Sequence, residues 1–127
     1  ILDTPVLLFS ETATVSSWTQ YDMSAGPAEA QAAATAGAKK VILRTHLVGG
    51  NTGGSSAPLN AYAQANGIGG VNTVDQIINR MYVYEGMDSA LSETTVNLDT
   101  NSDFEYQFQG TASTSNAMLV YLAGYYV

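Results

Sequence analysis

The stretch "DFEYQFQGTASTSNAMLVYLAGYYV" (103–127) decides how this chain is read. Two aromatic, apolar runs flank a short polar hinge. They are either a membrane anchor or a pair of strands inside a sheet. The first run alternates strictly, with Phe104, Tyr106 and Phe108 on one face and Asp103, Glu105, Gln107 and Gln109 on the other. Period-two alternation is the mark of a half-buried strand. The second run, "AMLVYLAGYYV", is 11 residues long, well short of the ~20 a spanning helix needs. Both runs are therefore strands, expected to form a β-hairpin with its apolar side in the core, and no membrane insertion is expected.

The same signal recurs along the chain. "KKVILRTHLV" places Val41, Leu43 and Leu47 on one face and Ile42, Arg44, His46 and Val48 on the other. "NRMYVYEG" alternates Met81 and Val83 with Tyr82 and Tyr84, and "TTVNLDT" sets Val96 and Leu98 against Thr95 and Asn97. "TPVLLFSE", "TVSSWTQYD" and the weaker "NAYAQANG" complete about eight strands. "NTGGSSAP" and "NGIGG" are glycine-rich loops, and "GGNTGGSS" (49–56) is expected to be a hairpin tip; "DTNSD" and "GTASTSN" are expected to join antiparallel strands. One stretch departs from the pattern. "SAGPAEAQAAATAGAKK" offers Ser24 as an N-cap, Pro27 near a first turn and Gly37 as a C-cap, enough for a short helix or a structured loop. The expected fold is all-β: one domain over 1–127, an antiparallel, jelly-roll-like β-sandwich.

Composition narrows the function. With 127 residues the chain supports one core. Charged residues make up 12%, well below the usual quarter or so, and such a neutral polar surface suits protein–protein contact. Four Lys and Arg against eleven Asp and Glu, net −7, exclude a phosphate-binding track, so no nucleic acid partner is expected. No cysteine is present, which removes disulfides and thiolate chemistry. No secretory-signal pattern is read, and Ile1 in place of Met points to a processed form or a fragment.

No motif announces catalysis. "DTNSDFEYQFQG" (99–110) starts like a calcium loop, but Phe104 and Gly110 stand where that loop needs Gly and Glu; a turn leading into a strand explains it. His46 is the lone histidine and reads as a packed or interface residue. "GIGGVN" lacks the third glycine of a dinucleotide fingerprint, and "GGNTGGSS" lacks the P-loop lysine. Asp22, Asp75, Glu85 and Asp88 are the acids a glycosidase reading would use, and nothing in their context separates two of them. No catalytic, cofactor or metal residue is assigned. Strands 41–48 and 117–127 are apolar on both faces, so a partner subunit or a loop must cover the second face. Ile42, Arg44, His46, Tyr82 and Tyr84 are the candidate subunit interface. Trp18 and Tyr62 are the candidate glycan or receptor contacts, although Trp18 also fits an ordinary core position.

Four stretches carry a resemblance: "SSWTQYDMS" (16–24), "AGAKKVILRTHL" (36–47), "INRMYVYEG" (78–86) and "VNLDTNSDFEYQFQGTASTSNAMLVYLAGYYV" (96–127). Together they resemble a domain of tailed-bacteriophage structural proteins, found in tail fibres and on head surfaces. The resemblance implies a β-sandwich that trimerises on the virion surface, either as a capsid decoration (cement) subunit or as a knob that binds host glycans. It implies no catalytic residues. Residues 28–36 and 49–57 fit that pattern poorly and are where attachment could differ. The expected partners are further copies of the chain in a homotrimer, a major capsid or other virion protein, and a host-surface glycan. The expected location is the surface of an extracellular particle made in a host cytoplasm. A receptor-binding knob is the first alternative to a decoration subunit. A cell-surface filament that donates "TPVLLFSETATV" as a strand is the second.

Overall fold

Every patterned stretch forms a strand in the computed structural model, which describes residues 1–51, 53, 56–70, 76–111 and 114–127, with backbone alone at 114 and 115. The strands are β1 (Val6–Glu11), β2 (Val15–Asp22), β3 (Lys40–Asn51), β4 (Ala57–Ala65), β5 (Ile77–Val83), β6 (Gly86–Asn97), β7 (Asp103–Gly110) and β8 (Thr114–Tyr126). They form two four-stranded sheets, ordered β1-β8-β3-β6 and β2-β7-β4-β5. All ladders are antiparallel. Two such sheets with this crossing connectivity make a jelly-roll sandwich.

Among the described residues, β4 and β5 are the one pair adjacent both in the chain and in a sheet. The expected terminal hairpin is therefore corrected. β7 pairs with β2 and β4, whereas β8 pairs with β1 and β3. "DTNSD", "NTGGSSAP" and "GTASTSN" likewise carry the chain from one sheet to the other, so none is a hairpin tip. Residues 52, 54, 55, 112 and 113 of those connections lie outside the described residues. The physical reason is that alternation fixes which face of a strand is apolar, not which strand meets its edge. β7 and β8 are both central, and they meet face to face instead of edge to edge. Phe104 and Phe108 from one side and Met118, Val120 and Leu122 from the other are all at most 1% exposed.

β3 follows its expected faces: Val41, Leu43 and Leu47 are fully buried in the core. β6 starts at Gly86, well before the stretch read from sequence, and pairs with β3 residue by residue as far as Asn97. Its first half, "GMDSALSE", lacks the β-branched and aromatic residues that mark a strand; the long partner imposes the conformation. The alanine-rich stretch is a helix, α1 (Ala28–Thr35). Ser24 does not cap it. Ser24 sits in a 3₁₀ turn (Met23–Ala25) whose cap is the Asp22 carboxylate, and Pro27 opens the helix. The helix ends as expected at Gly37, whose φ of 74° lets its N–H reach Ala34 O while Ala38 N reaches Ala33 O, a Schellman close. Ala30 and Ala33 are fully buried beneath it.

The two open sides of the sandwich are closed differently. Beside β1 and β2, Phe9 stacks on Tyr106 with centroids 4.2 Å apart, and Tyr21 stacks on Phe104 at 5.2 Å. Tyr106 Oη donates to Glu11 Oε2 at 2.8 Å. Burial first, then the Glu11 carboxylate, push the Tyr106 phenol far above its ordinary range; burial, then Asp22, raise Tyr21. Beside β5 and β6 the closure is polar. Asn79 Nδ2 donates to Thr45 O (2.9 Å) and Ala90 O (3.0 Å), clasping β5 to the opposite sheet.

Candidate functional site: the two outer faces

The outer face of the β1-β8-β3-β6 sheet is built from alternate residues of four strands. Register gives its rows. One runs Ser10, Leu119, His46, Leu91; the next runs Leu7, Tyr121, Arg44, Glu93; Ala117, Val48 and Ser89 form a third. Met87 stands beyond them, opposite Gly50. Leu91 is 66% exposed, Met87 58% and Leu7 46%. Large apolar side chains thus stand in water on one continuous face. At its centre, among the described residues, the charged side chains are Arg44 and Glu93, and they neutralise each other through a 2.9 Å ion pair.

The outer face of the β2-β7-β4-β5 sheet is its opposite. Asp103, Glu105 and Gln107 point away from the core, yet all three are buried. Part of the cover is the chain's own β4–β5 loop. Gly67 N and Gly69 N each donate to the Glu105 carboxylate at 2.8 Å. Gln64 Nε2 bridges Glu105 and Gly69 O, and Trp18 Nε1 donates to Gly70 O at 3.0 Å. Gly67, Gly69 and Gly70 have φ of 89°, 64° and 91°, left-handed conformations open to glycine on either side of Ile68, and the amides of 67 and 69 turn toward one anion. The "GIGG" loop is thus a clamp on a carboxylate of its own sheet; Val71 and Asn72 of that motif lie outside the described residues.

The candidate interface residues do not form one patch. Arg44 and His46 lie on the apolar outer face, while Tyr82 lies on the outside of the other sheet and Tyr84 just past the end of β5, each 57% exposed. Ile42 shares the Arg44 face but is only 7% exposed. Ile1 and Ile42 both press on Gly124, and Leu2 N donates to Ala123 O at 2.9 Å, so the chain's own first residues cover this end of the face. Tyr62 is 8% exposed, which leaves no ring face for a sugar. Trp18 is half-buried and held by the loop, outside the core. Sequence reading marks 117–127, with Leu119, as apolar on both faces but does not join Leu7, Met87 and Leu91 to it, since they stand on separate strands. Only the register of four strands makes a surface of them.

The acids also have structural roles. Asp99 Oδ1 accepts from Asn101 N and Asp103 N at 2.9 Å each, so the calcium-like stretch is a carboxylate-closed turn. Asp22 and Asp103 face each other across β2 and β7. Burial raises Asp103, the Gln20 amide lowers it, and Asp22 and Asp99 raise it again; hydrogen bonds from Ser24 lower Asp22. The two acids thus shift in opposite directions, each through its own burial and hydrogen bonds. Asp75 lies outside the described residues. Among the described residues no group of three or more His, Asp or Glu could hold a metal ion, and no helix is long and apolar enough to cross a membrane.

No protein-family model matches the chain, and no curated protein matches it. Among solved structures the chain is similar to a chain of the Kashmir bee virus empty particle at acidic pH. The identity is 10% over 95% of this chain and 72% of that one, with a TM-score of 0.37. It is also similar to a chain of the Israeli acute paralysis virus full particle heated to 63 degrees, at 8% identity over 95% of this chain and 67% of that one, TM-score 0.32. The chain itself is an eight-stranded antiparallel jelly roll by its own ladders.

Proposed function

We propose that this chain is a non-enzymatic structural protein of a virus particle, a decoration subunit on a bacteriophage head that self-associates as a homotrimer. The observation that carries the reading is the apolar outer face of the β1-β8-β3-β6 sheet, with Leu7, Met87 and Leu91 exposed. An isolated protein gains nothing from such a face, whereas burying it between chains removes apolar area from water. Charge favours the same contact. Each chain carries −7, so like copies repel, and a face whose central charges cancel is where they can approach. The interior supports a packing role: leucine, phenylalanine, valine and methionine fill the sandwich, and the lone histidine stands outside it.

Size sets the strength. Four strands spaced ~4.8 Å apart and about eight residues long give a face of roughly 500 Å². A standard stable interface needs about 800 Å² per partner. One such contact is weak, and assembly then rises with concentration and is completed on a particle, where a subunit that binds only the assembled shell stabilises it. In the filament alternative β1 would be donated to a neighbour, but here β1 pairs within its own chain, with β8.

The test is the mass by light scattering across ~1–100 μM, followed by co-sedimentation with phage particles and with host cells. A trimer that sediments with particles supports a decoration subunit. Binding to cells and not to particles supports the knob. A monomer at every concentration overturns the assembly reading.

A further inference from the structure

The loop covers only part of the β2-β7-β4-β5 outer face. On the uncovered part, register aligns Gln109, Asn60 and Arg80 across β7, β4 and β5, with Pro58 and Tyr82 in the next row. Tyr84 follows the end of β5 by one residue, where the chain leaves this sheet for β6. Tyr82 and Tyr84 are each 57% exposed. Neither ring stacks on another among the described residues, whereas Tyr21 and Tyr106 are locked in the aromatic closure beside β1 and β2.

Arg80 supplies the discriminating chemistry. Its Nε donates to Asn60 Oδ1 at 2.8 Å, which fixes the plane of the guanidinium against a neutral partner. Among the described residues the ion pair of the molecule is Arg44–Glu93. Arg80 is therefore, among the described residues, an oriented cation with no carboxylate paired to it, in a chain of net −7. A guanidinium fork presents paired donors that match a carboxylate. Aromatic faces offer flat apolar surface to the C–H side of a sugar ring, and the amides of Asn60 and Gln109, beyond the bonds they already make with Arg80 and Gln107, suit hydroxyls. The surrounding charge repels a polyanion far more strongly than a ligand with a single carboxylate.

We propose that Arg80, Asn60, Gln109, Tyr82 and Tyr84 form a binding site for an acidic saccharide, one carrying a sialic or uronic acid. The site lies on the sheet opposite the apolar face and does not require assembly. Its failure and the failure of the assembly reading are therefore separately visible.

The test is saturation-transfer NMR on the full chain with millimolar oligosaccharides ending in sialic or uronic acid, each beside its uncharged counterpart. Transfer to an acidic member is expected to exceed transfer to its neutral counterpart at least fivefold, and the preference is expected to shrink in 0.5 M salt, as exposed charge contacts do. Arg80→Gln removes the preference while leaving weak transfer to both. The double variant Tyr82→Ala/Tyr84→Ala, exposed and expected to melt like the parent, loses transfer to both. No transfer from the parent to any acidic member, or undiminished transfer in the tyrosine variant, overturns the site. A fall in oligomer mass in the tyrosine variant with saccharide transfer intact also overturns it and makes the patch a self-contact.

Discussion

The two outer faces of this sandwich invert ordinary expectation. On the β2-β7-β4-β5 side the outward residues of β7 are acids and amides, and the chain buries them, with Asp103, Glu105 and Gln107 at most 5% exposed. On the β1-β8-β3-β6 side the outward residues include Leu7, Met87 and Leu91, and the chain leaves them in water. The difference shows what a loop can and cannot cover. A glycine-rich segment brings backbone N–H groups, which need acceptors, so it settles on a carboxylate. Among its described residues it carries a single large apolar side chain, Ile68, itself 66% exposed, too little to cover a row of leucines. In the proposed assembly an apolar face of four strands would be covered by another apolar face, and a second copy of the chain has one.

The largest expected effect lies on the covered side. Glu105→Ala removes the acceptor of Gly67 N, Gly69 N and Gln64 Nε2. Bonds to a charged group are worth about 1.5–3 kcal/mol each and do not add fully. We expect a loss of about 3–5 kcal/mol in urea unfolding and faster amide exchange at 67–70. If stability changes by less than ~1 kcal/mol, the loop is not a clamp.

Inside the sandwich, Thr45 is fully buried and its Oγ1 has no hydrogen-bond partner among the described residues. Thr45→Val removes that unsatisfied hydroxyl at nearly constant shape, and a gain of about 1 kcal/mol is expected in the same assay. A loss would mean that the hydroxyl holds a bridging water.

Asp103 provides a pH-gated effect. Its folded titration is raised, chiefly by burial. A carboxyl raised on folding favours the native state while protonated, and that contribution is lost as pH rises through the folded value. Asp103→Asn should therefore melt higher than the parent at pH 7. The difference should close as pH falls below the ordinary carboxylate value of 3.8. An equal difference at pH 3 and pH 7 would show that charge is not its cause.

On the apolar side the expected effects on stability are the smallest. Glu93→Ala breaks an exposed pair and should change stability by at most ~1 kcal/mol. Leu91→Glu should leave the monomer within ~0.5 kcal/mol of the parent. Yet a charge in place of the most exposed leucine of the face should keep the chain monomeric at concentrations where the parent assembles. If Leu91→Glu unfolds the chain, Leu91 belongs to the core and the face is not a docking surface.

Strand existence and facing were legible in the sequence because period two records both. Phe104, Tyr106 and Phe108 point inward as their alternation implied, and so do Val41, Leu43 and Leu47. Partner choice was not legible. β7 and β8 are joined by a short polar connection that reads as a hairpin, but the Greek-key path sends them to opposite sheets. β6 was seen only from Thr94 onward, since Met87 to Glu93 are poor strand formers carried by pairing to β3. Of the candidate site, Arg44 and His46 were placed correctly on a second face of β3. Tyr82 and Tyr84 were grouped with them because sequence records alternation within a strand, not which sheet the strand joins. Tyr62 and Ile42 are only 8% and 7% exposed, and for Ile42 part of the reason is remote in sequence, since Ile1 meets it over Gly124.

The most direct measurement uses the methionines. Met87 is 58% exposed on the apolar face, whereas Met23, Met81 and Met118 are at most 7% exposed in the core. Peroxide oxidises exposed methionine to the sulfoxide and spares buried residues, so peptide mass spectrometry reads the face directly. Between ~1 and 100 μM protein, Met87 oxidation should slow as the light-scattering mass rises, while the core methionines stay slow throughout. Met87 oxidised at one rate in monomer and oligomer alike would contradict the account, for it would show that the chains meet somewhere else.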